Sequence, residues 1–380
     1  MRALLIILSL CVTSFLWSQP FAIGERTVTF YDAARDRNVE TLVRYPAATA
    51  GVDLAVAPGQ FPVLVMGHGF VMDPAVYANL WSHFVPKGYI MVLPTTEGGF
   101  APSHGNFGQD LAFLGVAMQD AGGDGASPFF GRVAAATALM GHSMGGGASF
   151  LGAAGNGAIQ ALVNFAPAET NPSAVGAAQT VLVPTLVFAA SEDCVTPIPD
   201  HQGPMYTATA AACRAFVNIL GGGHCYFAND NFNCTFGEFT CGPDLTISRT
   251  EQHDVVNDLA GLWLDHFLKG DAAAFPAFSD SVANSTRVEA QLDCLTTGVP
   301  VPASDDQRLF PVPASDRIHV IGALPGTACT VMDARGKEVI TVQALPVDGA
   351  IDVSALPMGT YHLILRDAKG IRTEPFVVVR

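Results

Sequence analysis

Lysine is almost missing from this chain: four occur in 380 residues, at Lys87, Lys269, Lys337 and Lys369. Charge of any kind is scarce, at 14% of residues, and the acidic excess leaves a net charge of −15. A surface this poor in cations excludes nucleic acid, whose phosphates need Lys and Arg, and disfavours an anionic membrane. It fits neutral substrates. CxxC pairs are also lacking, which removes the usual sequence sign of a zinc site. No cofactor or metal is expected. No stretch beyond residue 18 is apolar enough to cross a bilayer, and no internal repeat of 20–50 residues is present, which excludes solenoids and propellers.

What is there is a large apolar fraction, 49%, and a length that suggests about two domains. Residues 1–18 combine Arg2, an apolar run from Ala3 to Trp17 and the small Ser18, the form of a secretory signal peptide. Export makes disulfides possible. Cys194, Cys213, Cys225, Cys234, Cys241 and Cys294 fall between positions 194 and 294 and allow fifteen pairings. The expected ones are Cys194 with Cys213, and Cys225 with Cys234 or Cys241. Cys329 stands apart.

Residues 26–47 read as two strands around a polar turn. FPVLVMGHGF (61–70), YIMVLPT (89–95), VAAATALMG (133–141), VPTLVFAAS (183–191) and RAFVNILGGGH (214–224) are short apolar runs that open into small or polar loops, the sign of buried strands. Between them, 74–88, 106–121 and 251–270 have helical spacing, the last with Gly270 as its stop. Alternating strands and helices predict an α/β fold with a mainly parallel sheet over residues 19–298, and such sheets place ligands at the carboxyl ends of their strands. Residues 299–315 are rich in Pro, Ser and Asp and read as a linker. Residues 316–380 hold short alternating runs with DARGK and DAKG turns, which predict a small antiparallel β-sandwich.

The stretch GHSMGGGAS (141–149) fits G-x-S-x-G, a serine on a sharp strand-to-helix turn with glycines where neighbouring backbone comes close. Ser143 is the candidate nucleophile. A serine hydroxyl needs a base, and the base an orienting acid. In the order this fold requires, Asp193 follows one strand and His224 another, with Glu192 and His201, His253 and His266 as rivals. The N–H groups of Met144 and Phe70 are the candidate oxyanion donors. His68 and His142 are expected to pack around the turn.

GHSMGGGAS, VMGHGF, VPTLVFAASEDCVTP and GGGHCYF together resemble the α/β-hydrolase esterases of the cutinase, poly(ethylene terephthalate) hydrolase and dienelactone hydrolase type, over about residues 25–270. Dienelactone hydrolases use cysteine at the position of Ser143, so the polyester and lipid esterases are the nearer group. The resemblance implies an α/β-hydrolase fold and carboxylic-ester hydrolysis through Ser143, Asp193 and His224. It implies an open substrate groove walled by Phe70, Met144 and Val195, with Ala168 where those enzymes place a clamping Trp. A serine peptidase or amidase on the same fold, or a non-catalytic surface protein, are the alternatives. FPVPASDRI, VMDARGKEV, IDVSALPMGTYHLIL and PFVVVR resemble the type IX secretion sorting domain of Bacteroidetes. That likeness implies recognition by the secretion machinery and a destination outside the cell or on its surface. The chain is expected to be a monomer.

Overall fold

The computed structural model describes residues 20–294 and, with short gaps, 308–379. The expected signal peptide 1–18 and most of the expected linker 299–315 lie outside the described residues. Contacts divide the chain into two units, on either side of the Leu295–Thr296 bond.

The first unit holds ten strands: β1 (Ala22–Asp32), β2 (Arg37–Ala47), β3 (Gly51–Val52), β4 (Phe61–Gly67), β5 (Ile90–Pro94), β6 (Val133–His142), β7 (Ala161–Phe165), β8 (Thr185–Ala190), β9 (Cys213–Ile219) and β10 (Val288–Cys294). Its helices are α1 (Ala78–Phe84), α2 (His104–Gly123), α3 (Met144–Ala153), α4 (Ala174–Ala178), α5 (Gln202–Ala208), α6 (Phe232–Phe239), α7 (Arg249–Lys269) and α8 (Ala274–Asn284). The strands form one sheet in the order β10-β9-β8-β7-β6-β4-β5-β2-β1-β3. From β5 to β9 all neighbours are parallel, and antiparallel pairs flank them. This is the α/β-hydrolase architecture.

Side-chain alternation sorts the strands onto two covered faces. Leu64 and Met66 of β4 join Trp81 of α1, Trp263 of α7 and Phe278 of α8. Val63 and Val65 point the other way, to Leu111 of α2, Phe150 of α3 and Met205 of α5. All seven residues of β4 are buried, and each large apolar side chain so buried contributes about 1.5–3 kcal/mol.

Local chemistry sets the boundaries. Helix α7 starts on a capping box, Ser248 with Glu251, and ends on Gly270 at φ 70°. The helix expected over 74–88 is broken into a 3₁₀ turn (Pro74–Tyr77), α1 and a second 3₁₀ turn (Val85–Lys87). Pro86 lacks the N–H that a continuing α-helix needs.

The disulfides are Cys194–Cys241, Cys213–Cys294 and Cys225–Cys234. The expected Cys194–Cys213 pair is therefore wrong. Cys213 opens β9 while Cys194 lies beyond the end of the parallel neighbour β8. Six residues of strand rise put them about 20 Å apart. Cys213 instead faces Cys294 in the antiparallel β9–β10 register.

In the second unit, antiparallel strands at 308–310, 317–321 and 350–352 form one sheet, and 328–333, 338–342, 359–367 and 370–378 another. Ile318, Ile351, Val331, Leu363 and Phe376 share its core, and unpaired Cys329 is buried there.

Candidate active site

Ser143 sits between β6 and α3 at φ 55°, ψ −121°, a left-handed conformation that costs a non-glycine residue roughly 1–3 kcal/mol and is kept only where the surroundings enforce it. Here they do. The Ser143 N–H donates to Phe165 O at 3.0 Å, and Ser143 O accepts from Ala168 and Gly147 N–H at 2.9 and 3.1 Å. A Cβ on Gly141 would collide with the Gly145 backbone, and one on Gly145 with Gly67 O. Both glycines are therefore required by close backbone approach.

Asp193 and Thr196 follow β8. Asp193 Oδ1 accepts from the N–H groups of Val195 and Thr196 at 3.0 and 2.7 Å, and Oδ2 accepts from Thr196 Oγ1 at 2.8 Å. His224 follows β9, and its Nδ1 lies 2.8 Å from Asp193 Oδ2 and 3.0 Å from Thr196 Oγ1. Asp193 and His224 are 6% and 2% exposed. Because Nδ1 donates to the acid, Nε2 is left as the basic nitrogen. The two loops are zipped beyond the strands: Ser191 N–H donates to Ile219 O, Glu192 N–H to Gly222 O, and Gly221 N–H to Ser191 Oγ. Buried Gln252 on α7 clamps the residue before the imidazole, donating to Gly223 O at 2.9 Å and accepting from Gly223 N–H at 3.0 Å.

His142, next to Ser143, connects the loops. Its Nε2 lies 3.1 Å from His224 O, a carbonyl that can only accept, so Nε2 carries the proton. Its Nδ1 then accepts from Tyr77 O–H at 2.9 Å, and Tyr77 Oη accepts from Gly69 N–H at 2.8 Å. Burial, then the neighbouring His224, hold the His142 pKa well below 6.5, so the ring is neutral and the direction of the relay is fixed. The His142 and His224 rings are 4.7 Å apart.

Phe70 is the second residue of a turn closed by Met72 N–H to Gly69 O, so its own N–H stays outside that bond. Met144 is the first residue of α3, where N–H groups have no partner within the helix. The Met144 side chain is buried at 3% exposure, while Phe70 and Val195 are 48% and 38% exposed. Ala168 is partly buried, and its carbonyl closes on Gly147.

Of the rivals, Glu192 accepts from Ser191 Oγ, and His201 Nδ1 accepts from Glu169 N–H. His253 and His266 meet the carbonyls of Ala228 and Asp271. None replaces Asp193 or His224 at the pair. Thr196, Gln252, Tyr77 and Gln202, whose Nε2 donates to Thr196 O and Oγ1 at 2.8 and 2.9 Å, were not singled out from sequence. Thr196 carried a weak signal, lying three residues after Asp193 where an Asx turn forms. Tyr77 carried none. Among the described residues no group of three His, Cys, Asp or Glu is placed to hold a metal ion.

A family profile described as PET hydrolase-like matches residues 39–242, more than half of the chain. The chain belongs to the PET hydrolase-like family. Among characterised relatives of this PET hydrolase-like chain are the bis(hydroxyethyl) terephthalate hydrolase of Streptomyces coelicolor, 25% identical over 200 residues, and cutinase est1 of Thermobifida alba, 29% identical over 182. These alignments cover 52% and 47% of this chain, and 58% of each relative's length. Cutinase 1 of Thermobifida cellulosilytica is 30% identical over 104 residues, 27% of this chain and 37% of that protein. Residues 308–379 match the secretion system C-terminal sorting domain, which marks the protein for export.

Proposed function

We propose that this protein is a secreted serine carboxylic-ester hydrolase acting on polyesters. Ser143 Oγ attacks the ester carbonyl carbon while His224 Nε2 takes the hydroxyl proton. The N–H groups of Phe70 and Met144 hold the oxygen that becomes negative. Collapse breaks the ester C–O bond, and His224 returns the proton to the departing alcohol. Water, deprotonated by the same imidazole, then releases the acid and restores Ser143. Asp193 orients the imidazole, and Thr196 braces Asp193. The observation that carries this reading is a buried imidazole committed through Nδ1 to an acid, in a loop tied by its His224 carbonyl to His142, the residue before the serine on the enforced left-handed elbow. The names of the relatives support esters as substrates, and the C-terminal unit supports recognition by the type IX secretion machinery.

Ser143→Ala is expected to lower kcat on p-nitrophenyl butyrate by about 10⁴–10⁶-fold with the fold intact. A fluorophosphonate should label the parent at Ser143 and leave the variant unlabelled. Turnover that survives the substitution would remove Ser143 from the chemistry.

A further inference from the structure

Helix α6 reverses the usual polarity of a surface helix. Phe232, Phe236 and Phe239 share one face by their i, i+4, i+7 spacing, and they are 80%, 60% and 81% exposed. The opposite face carries Glu238, only 5% exposed, which accepts from Cys225 N–H at 3.2 Å. The helix is pinned in this orientation. Cys234 is bonded to Cys225, and Cys241, just past the helix, is bonded to Cys194. Asn233 Nδ2 donates to Val71 O at 2.6 Å, and Asn231 caps the helix through Cys234 N–H. The Phe232 and Phe236 rings stack at 5.9 Å.

The anchors land on the loops of the candidate site. Cys225 follows His224, Cys194 follows Asp193 and Val71 follows Phe70. The helix is thereby tied to the loops that carry further exposed apolar residues: Val195 beside Cys194, and Phe70, whose ring meets that of Phe100 at 6.5 Å, with Phe100 87% exposed. A cross-linked helix that keeps three aromatic rings in water is built for a broad apolar partner. With a net charge of −15 and four lysines, the protein is repelled by anionic lipid but not by an uncharged surface.

We infer that the aromatic face of α6, together with Phe70 and Phe100, is a preformed lip that adsorbs the enzyme to the surface of a solid, uncharged polyester. The inference rests on the ester-hydrolase reading and adds which part of this chain would hold it on the polymer: a cross-linked helix outside the reacting groups.

The test is an adsorption isotherm of the full chain on an amorphous aliphatic polyester film, in a Ser143→Ala background so that binding is read without hydrolysis. Phe232→Ser/Phe236→Ser/Phe239→Ser should weaken adsorption at least tenfold, and Phe239→Ser alone several-fold. A thiol titration shows that the three disulfides remain closed. If the triple variant adsorbs as well as its parent, the inference fails. It also fails if the three rings instead drive binding to neutral lipid vesicles in preference to the film, or hold two copies together in sedimentation while adsorption is unmoved. Each outcome stands apart from the ester-hydrolase reading, which p-nitrophenyl butyrate turnover in the Ser143 background tests separately.

Discussion

Two regions flank the mouth of the site and are built on opposite rules. The elbow, Gly141 to Gly147, is made precise by missing side chains. Backbone sits against backbone, and Ser143 is held in a conformation it would not choose. Helix α6 and its loops have no such packing. Gly237 has open space around it, three phenylalanines face water, and two disulfides with a few side-chain hydrogen bonds supply the fixation. The elbow takes its geometry from the sheet and tolerates no added atom. The α6 region takes its geometry from cross-links, which leaves its outer surface free to change. Under the proposed function, the reacting serine lies in the first kind of region and the rings that would meet the polymer in the second.

The sharpest way to break this contrast is to add one methyl group to the elbow. In Gly145→Ala the new Cβ meets Gly67 O and His68 O, backbone atoms that no rotamer change can move. The expected cost is about 3 kcal/mol, the upper end for overpacking, and kcat/KM should fall at least 100-fold because the displaced loop carries Phe70. Urea melts and ester kinetics check both. A stable, active Gly145→Ala protein would show that the elbow is not held by close backbone contact.

Acid should also divide the two regions. The folded-state pKa of His142 lies well below 6.5, first through burial and then through His224. The unfolded chain takes up this proton near pH 6.5, and the folded chain does not. Stability is therefore full above pH 6.5 and falls below it, by about 1.4 kcal/mol per pH unit for this one group. His83, lowered to about 4, and His201 and His253, also lowered, act in the same direction. Helix α6 contains no histidine. Melts from pH 7 to pH 5 should show this loss, and His142→Gln should flatten the slope by about one proton. An unchanged slope would mean that His142 titrates normally in the folded protein.

The elbow region was legible in the sequence because its constraints are local. Glycines at fixed offsets from Ser143, and Asp193 and His224 just beyond apolar runs, are read along the chain, and the structure bonds that acid to that imidazole. Strand β7, the five residues ALVNF, was missed because the buried Asn164 breaks its apolar run. Helix α8 and strand β10 were missed as well, and with β10 the true partner of Cys213. Pairing of cysteines depends on which ends of which strands are neighbours, and spacing does not encode that. Helix α6 was not read from the sequence: Phe232, Phe236 and Phe239 repeat at i, i+4 and i+7, but the helix spans only Phe232–Phe239, shorter than the window over which a helical period stands out. The relay through Tyr77 joins residues 65 apart and leaves no pattern in sequence.

The smallest expected effect sharpens the comparison from the other side. Gly237 lies within α6 at ordinary helical φ, and a Cβ built on it meets nothing within 4 Å. Glycine weakens a helix interior because it has the most backbone freedom to lose, so Gly237→Ala should stabilise α6 by roughly 0.5–1 kcal/mol. The elbow glycine and the α6 glycine are the same residue type, and the same substitution should carry opposite signs. Slower amide exchange across 235–241 reads the gain locally, where a global melt would dilute it. Faster exchange in Gly237→Ala would mean that α6 is packed as tightly as the elbow, and the division of labour argued from their construction would no longer hold.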